Sequence, residues 1–363
     1  MRINQAKVAS IFGLLWLILL AAGCSSIDAL DSGDLKDVEL VTSLAVDKSE
    51  GSSQLVATVQ LLNRDKALDR QYAESYYNLT AEGINLPAAV GELYRYGARQ
   101  LNFSHASILL LSEQTADCQH WLDYALRSPE LRPTIYPVVC QDNAGRLLAA
   151  EVEKISQTYL LNNILEPLGS GRPGVTAITL QSFVEDLLQP GIEPVLPWVE
   201  QSQQGVELGG LMVFNGVGQP VAVLSEDACW GYIWLAKPQH LRGYTLELPQ
   251  AVVFQVENAV VQVETAALAE GCASVQFKLR LRARLLNNPA ILSEKELQKI
   301  TEDRLQQFLN AALAESRRLQ LDFLGLGREL YRHQPQLWEG LQGQAYLDKL
   351  TVSLSVETEI LQS

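Results

Sequence analysis

Residues 272–286 read CASVQFKLRLRARLL, and from Val275 onward the alternation is strict. Val275, Phe277, Leu279, Leu281 and Ala283 fall on one side, and Lys278, Arg280, Arg282 and Arg284 on the other. Successive side chains take opposite faces only in a β-strand, so this stretch is a strand with one face for a core and one for water. A helix would scatter the same four cations around its circumference.

The neighbouring segments extend this strand into a unit. AVVFQVENAVVQVET (251–265) reads as a second strand, and Ser293 with Glu296 forms a capping box that opens a helix running to about Arg318. DKLTVSLSVETEI (348–360) returns as a strand, so residues 249–363 are expected to form a ββαβ unit with its helix over one sheet face. Glu357 and Glu359 lie on the polar side of that returning strand, where they can pair with the cationic row if the two strands are neighbours. The competing reading gives the four cations to an acidic partner or a phosphate. Ion rows of this kind are common on half-solvated sheets, which favours the pairing.

Toward the N-terminus strands and helices alternate. DVELVTSLAVDK (37–48) and QLVATVQLLN (54–63) read as a hairpin, followed by YYNLTAEG (76–83) and a helix that Asn85 and Pro87 open. ASILLLSE (106–113) is a buried strand, TIYPVVCQ (134–141) another, and residues 38–205 are expected to form an α+β domain. Prolines 173, 190, 194 and 197 mark a boundary. Beyond it, GGLMVF and PVAVLS flank an Asn215-Gly216 hairpin tip, read as the sheet of a small middle domain over 206–248. The fold class is thus α+β, in three consecutive domains, each a mostly antiparallel or mixed sheet packed with helices.

At 363 residues, 47% hydrophobic and 19% charged, the chain can bury several cores. Its net charge of -14 would become -16 without a leader that holds Arg2 and Lys7 and no acid. Such a surface is expected to repel nucleic acid and anionic membrane, and nucleic acid is not an expected partner. Residues 1–23 combine those two cations with the apolar run from Val8 to Ala22, the pattern of a signal peptide, and an uncleaved anchor is the alternative. AAGC (21–24) resembles the bacterial lipobox, which implies a diacylglyceryl group and an N-acyl chain on Cys24, two lipid signals that hold a protein on a membrane. Residues 24–37 would then be a tether.

The chemistry of an enzyme is hard to assemble from this sequence. Cys118, Cys140, Cys229 and Cys272 form no CxxC pair, so no metal site is expected, and their disulfide state stays open. GSGRPG (169–174) matches the letters of a dinucleotide fingerprint, but it lacks the preceding strand and carries Pro173 inside, which reads as a loop. His105 could serve as a general base only with partners that no motif supplies, so a hydrogen-bonded core or loop-fixing role is preferred. No catalytic residue and no cofactor is expected. In QLDFLGLG (320–327) the two glycines are expected to cap and exit the long helix, with Asp322 bonded to the loop's own amides, and Trp338 is expected as an exposed or interface aromatic.

Taken in order, a leader ending in Cys24, VTSLAVDK (41–48), LTAEGINLPAAV (79–90), LNFSHASILLLSE (101–113), LDYALRSPELR (122–132), GGLMVFNGVGQPVAVLS (209–225) and LDFLGLGRELYRHQPQLWEGL (321–341) resemble the Ger(x)C family of spore-germination lipoproteins, the C subunits of nutrient germinant receptors. The resemblance makes His105, Asp322, Gly325, Gly327 and Trp338 family landmarks. It implies a non-enzymatic three-domain lipoprotein on the outer face of the spore's inner membrane, assembled with A-type and B-type integral membrane subunits. An extracytoplasmic small-solute-binding lipoprotein, using an interdomain cleft near the proline-rich boundary, is the alternative.

Overall fold

The computed structural model describes residues 38–62, 76–97, 99–150, 158, 161–162, 165, 177–202, 205–268, 272–343 and 345–361. The leader, Cys24, the tether and the GSGRPG stretch lie outside the described residues.

The first sheet is built by strands β1 (Val38–Lys48), β2 (Leu55–Leu62) and β3 (Tyr76–Gly83), followed by helix α1 (Leu86–Tyr96), the short β4 (Gln100–Asn102) and β5 (Ile108–Ser112). After them come α2 (Leu122–Arg127), β6 (Tyr136–Cys140), α3 (Ala144–Ala149), α4 (Leu180–Leu188), β7 (Val195–Ser202), β8 (Gly205–Phe214) and β9 (Pro220–Val223). The strand order is β3-β2-β1-β5-β6-β7-β8-β9, with β4 paired to β1. The central strands β1, β5, β6 and β7 run parallel, and the flanks turn antiparallel. All five residues of β5 are buried, as expected for a parallel strand covered on both faces. Its alternate residues feed two cores: Leu109 and Leu111 join Trp121 and Phe183 on one side, while Ile108 and Leu110 join Leu147 and Leu148 of α3 on the other.

The second sheet contains β10 (Thr245–Leu248), β11 (Val252–Ala267), β12 (Ala273–Asn287) and β13 (Leu350–Leu361), in that order. Before β10 comes α5 (Glu226–Ala236), and between β12 and β13 lie α6 (Glu294–Leu319), α7 (Leu326–His333) and α8 (Pro335–Leu341). The pairs β10–β11 and β11–β12 are antiparallel, and β12–β13 is parallel. A parallel neighbour requires a long crossover, and α6 is the element that makes the return. Both halves of the capping box at Ser293 and Glu296 are present.

The α+β class and the mixed, helix-packed sheets match the sequence reading, but the strands are shared out differently. Residues 206–248 form no sheet of their own. β8 pairs with β7 and β9 with β8, so the Asn215-Gly216 hairpin extends the first sheet. β10 instead joins the edge of the second, and α5 packs on α6 so closely that a Cβ at Gly231 would lie 2.6 Å from that of Ala312. The reason is the number of exposed edges. An isolated two-stranded ribbon is marginal in water, whereas adding each strand to an existing sheet satisfies its backbone.

Candidate functional site

Four of the five landmark residues, Asp322, Gly325, Gly327 and Trp338, lie together at the joint between the two sheets' units, and His105 lies apart from them. Asp322 is 1% exposed and sits four residues before the first turn of α7. Its Oδ1 accepts the Leu326 amide at 2.9 Å, and its Oδ2 accepts the Gly327 amide at 2.6 Å and the Tyr346 hydroxyl at 2.7 Å. A carboxylate on the open amides of a helix start satisfies donors that the helix itself leaves unpaired. Asp322 therefore holds the loop's amides as expected, and it also caps α7.

The glycines act differently from the sequence reading. α6 is capped by Gln320 in the left-handed conformation (φ 54°), where glycine was expected. Gly325 (φ 74°) instead makes the turn into α7, a backbone geometry that suits a residue without Cβ. Gly327 is there for clearance, because a Cβ on it would lie 2.6 Å from the Trp338 ring and 2.8 Å from Gly191 Cα. Trp338 is 6% exposed and packs edge-to-face on Tyr346; of the two expectations, an exposed or an interface aromatic, it is not the exposed one but a buried residue of the joint.

Residues from the first unit complete the cluster. Gly191 (φ 76°) lies between α4 and β7, and its carbonyl accepts the Arg328 amide at 2.7 Å. The Glu193 amide donates to the Asp322 carbonyl at 3.0 Å, and the Glu193 carboxylate accepts the Asp322 amide in return. The Arg328 guanidinium reaches Asp186 of α4 at 3.4 Å. Burial, reinforced by the neighbouring Asp322 charge, pushes the Glu193 carboxyl up to about 7. Burial also raises Asp322, against the pull of its amide and hydroxyl donors. An open cleft of about 640 Å³, bordered by Glu193, Gln320, Tyr346 and Leu347, lies beside them. Of the proline-rich boundary, Gly191 and Glu193 are engaged in these contacts.

Sequence reasoning did not find Glu193, Gly191 or Tyr346. Pro190-Gly191 is a turn signal that points to positive φ at the glycine, but Glu193 and Tyr346 carry no local pattern and acquire their role only from the docking.

The cationic row is paired along its length. Glu357 lies between Lys278, which it contacts directly, and Arg280 at 3.2 Å, and Arg282 reaches Glu359 at 3.6 Å. Arg284 turns to the other neighbouring strand and pairs with Glu257. These pairs are largely exposed, so they set register more than they add stability.

His105 is exposed on a short 3-10 turn, Phe103–His105. The turn is fixed by the buried Phe103 and by Asn102, whose side chain accepts the Ser104 amide at 2.9 Å. A hydrogen-bonded core or loop-fixing role was expected for His105; it is not in the core, and Asn102 and Phe103 are the residues seen fixing the turn.

A second buried acid, Asp47, accepts the Ala144 and Gly145 amides at 2.7 and 2.8 Å and so ties β1 to the start of α3. Among the described residues, no three His, Cys, Asp or Glu side chains converge in a metal-binding arrangement. The four described cysteines are free thiols, with Cys118, Cys140 and Cys229 buried.

The fold and joint thus define a two-sheet α+β protein whose landmark residues lock one folded unit onto another. The chain belongs to the GerAC-like spore-germination family: residues 31–201 match the model "Spore germination protein N-terminal domain", and residues 209–363 match "Spore germination B3/GerAC like, C-terminal". It is 22% identical over 395 residues to spore germination protein KC of Bacillus subtilis, covering 96% of this chain and 93% of that one. Its fold matches the crystal structure of the GerBC protein with a TM-score of 0.58 at 14% identity, over 88% of this chain and 97% of that one.

Proposed function

We propose that this protein is a membrane-anchored, non-enzymatic lipoprotein subunit of a nutrient germinant receptor, required to trigger spore germination. In this reading a diacylglyceryl and N-acyl lipid on Cys24 holds it to the outer face of the spore's inner membrane, beside A-type and B-type integral subunits. The observation that carries it is the pair of germination-family matches, which together span nearly all of residues 31–363. The chemistry of the joint supports the same reading. Asp322, Tyr346 and Glu193 spend their polar atoms on backbone amides and on each other, as groups that fix a shape do. Among the described residues no helix is long and apolar enough to cross a membrane, and this reading assigns attachment to Cys24.

The test is nutrient-triggered dipicolinic acid release from spores of the parent, an in-frame deletion and strains complemented with the wild type or Cys24→Ala. Loss of response to one nutrient class, restored by the wild type and not by Cys24→Ala, is expected. An unchanged response in the deletion strain across a nutrient panel would overturn the receptor role. Calorimetry of the body against amino acids and sugars tests the solute-binding alternative, for which no heat is expected.

A further inference from the structure

We propose that the end of the first sheet where β1 begins is a lipid-facing surface, seated in the headgroup layer of the membrane through Tyr76, Tyr77 and Tyr96 with Arg95 and Arg99 beside them. The proposal rests on the membrane anchoring of the function above.

Strand register brings these residues together. β1 begins at Val38, which pairs with Gln100, next to Arg99. Val41 pairs with Leu61, Leu61 with Tyr77, and Leu62 with Tyr76, so both tyrosines lie at the end where β1 begins. Helix α1 runs back to the same end and finishes at Tyr96. A Cβ built on the next residue, Gly97, would lie 3.6 Å from a Glu39 carboxylate oxygen. Glu39 in turn faces the Tyr77 hydroxyl, with the Arg99 charge nearby.

The side chains there have the chemistry of a membrane interface. Tyr76 and Tyr77 are 37% and 36% exposed and Tyr96 is 64% exposed, so three rings are open to solvent at one end of the sheet. A tyrosine ring is apolar along its body and polar at its tip, which suits the boundary between acyl chains and headgroups. Arginine stems lie along apolar surface while their guanidinium groups reach phosphate. Arg95 is 74% exposed, bonded to Glu92 on the helix surface.

The polarity of the sheet gives the same orientation. At the far end of β1, Asp47, Glu50, Glu113 and Asp142 border an open cleft with Lys48 and Arg146, and Glu82 bonds Ser49 close by. Anionic headgroups repel that end. The chain enters this sheet at the tyrosine end, and the thirteen residues between Cys24 and Val38 reach at most about 45 Å when extended, so that end lies within reach of the lipid. A lipid anchor alone lets the body pivot, and a second, weak contact at high local concentration fixes its orientation.

The test uses the mature lipidated chain in vesicles of phosphatidylglycerol and phosphatidylethanolamine. An environment-sensitive fluorophore is placed on Tyr96→Cys or, as the far-end control, on Glu50→Cys, each with Cys272→Ser. Burial pushes the Cys118 and Cys229 thiols up to about 12 and raises Cys140 further, so the introduced thiol takes the label. A headgroup-level lipid nitroxide is expected to quench the label at 96 by about twofold or more, with little effect at 50. Equal, weak quenching at both positions in protein that floats with the vesicles would overturn the surface and leave the anchoring intact. Protein that fails to float would remove the anchoring, and this proposal with it.

Discussion

A single carboxylate, Asp322, joins three donors in a space closed to water, and its removal would leave two amides and a hydroxyl without partners. Asp322→Ala is expected to cost about 3–5 kcal/mol, since each buried unsatisfied group costs about 1–3 kcal/mol. Tyr346→Phe removes one bond and should cost about 1 kcal/mol, both read from urea unfolding. Glu193 gives the joint a pH dependence. Its carboxyl is raised from 4.5 to about 7, so the folded state holds a proton that the unfolded state has released. Its stabilising effect is therefore fully present below pH 4.5 and is lost as pH rises through 7, a change of about 3 kcal/mol. Urea midpoints of the wild type should fall over that window, and those of Glu193→Gln should fall less. Equal slopes would sink the assignment. Asp322 stood out in the sequence beside its glycines, while Glu193 did not, because a lone acid between Ile192 and Pro194 shows nothing of the carboxylate it will face across the joint.

At the scale of elements, β12 was legible because its two faces differ so sharply. Phe277 is 3% exposed on the core face of the strand, and Phe277→Ala should cost about 3–5 kcal/mol. On the opposite face, Glu357→Gln is expected to shift the thermal midpoint only slightly, with the difference vanishing as salt is added. A large loss at high salt would show that the ionic face holds the sheet together. Local signals of this kind also marked the helix start at Asn85, whose side chain accepts the Ala88 amide at 2.9 Å, and the turn at Asn215-Gly216. Where the deciding contact is remote, the sequence was silent. Gly325 and Gly327 follow α6 and read as its exit, yet they serve the entry of α7 and the approach of Gly191. Trp338 sits in the seven-residue α8, too short for its periodicity to reveal which face Gly327 would cover.

For the molecule as a whole, the joint ties the two sheets together through Gly191, Glu193 and the loop that holds Asp322. The contacts between Gly191, Glu193 and the 322–328 loop are few and closely fitted, so crowding them should uncouple the units without unfolding either. Gly327→Ala places a methyl against Trp338 and Gly191, an overpacking worth about 1–3 kcal/mol. It is expected to split a single thermal transition into two, seen by calorimetry. A single transition shifted downward would mean that the units fold only together. The strand exchange that blurs the boundary at 206–248 was not readable, because β7, β8 and β10 find their partners by edge availability, a property of the assembled sheets.

The parallel pairing of β12 with β13 also places the folding of the second sheet in time. Residues 288–349 separate the two strands, and at roughly 5–20 residues per second a growing chain needs about 4–15 s to pass from the end of one to the end of the other. During that interval β12 is an apolar ribbon with one open edge, and its cations have not yet met Glu357 and Glu359. The helices α5 and α7, which pack against β12 in the finished fold, are the elements already made that can shelter the ribbon meanwhile. Helper proteins and proteases that patrol nascent chains would meet this protein in that window, and the arrival of β13 closes it.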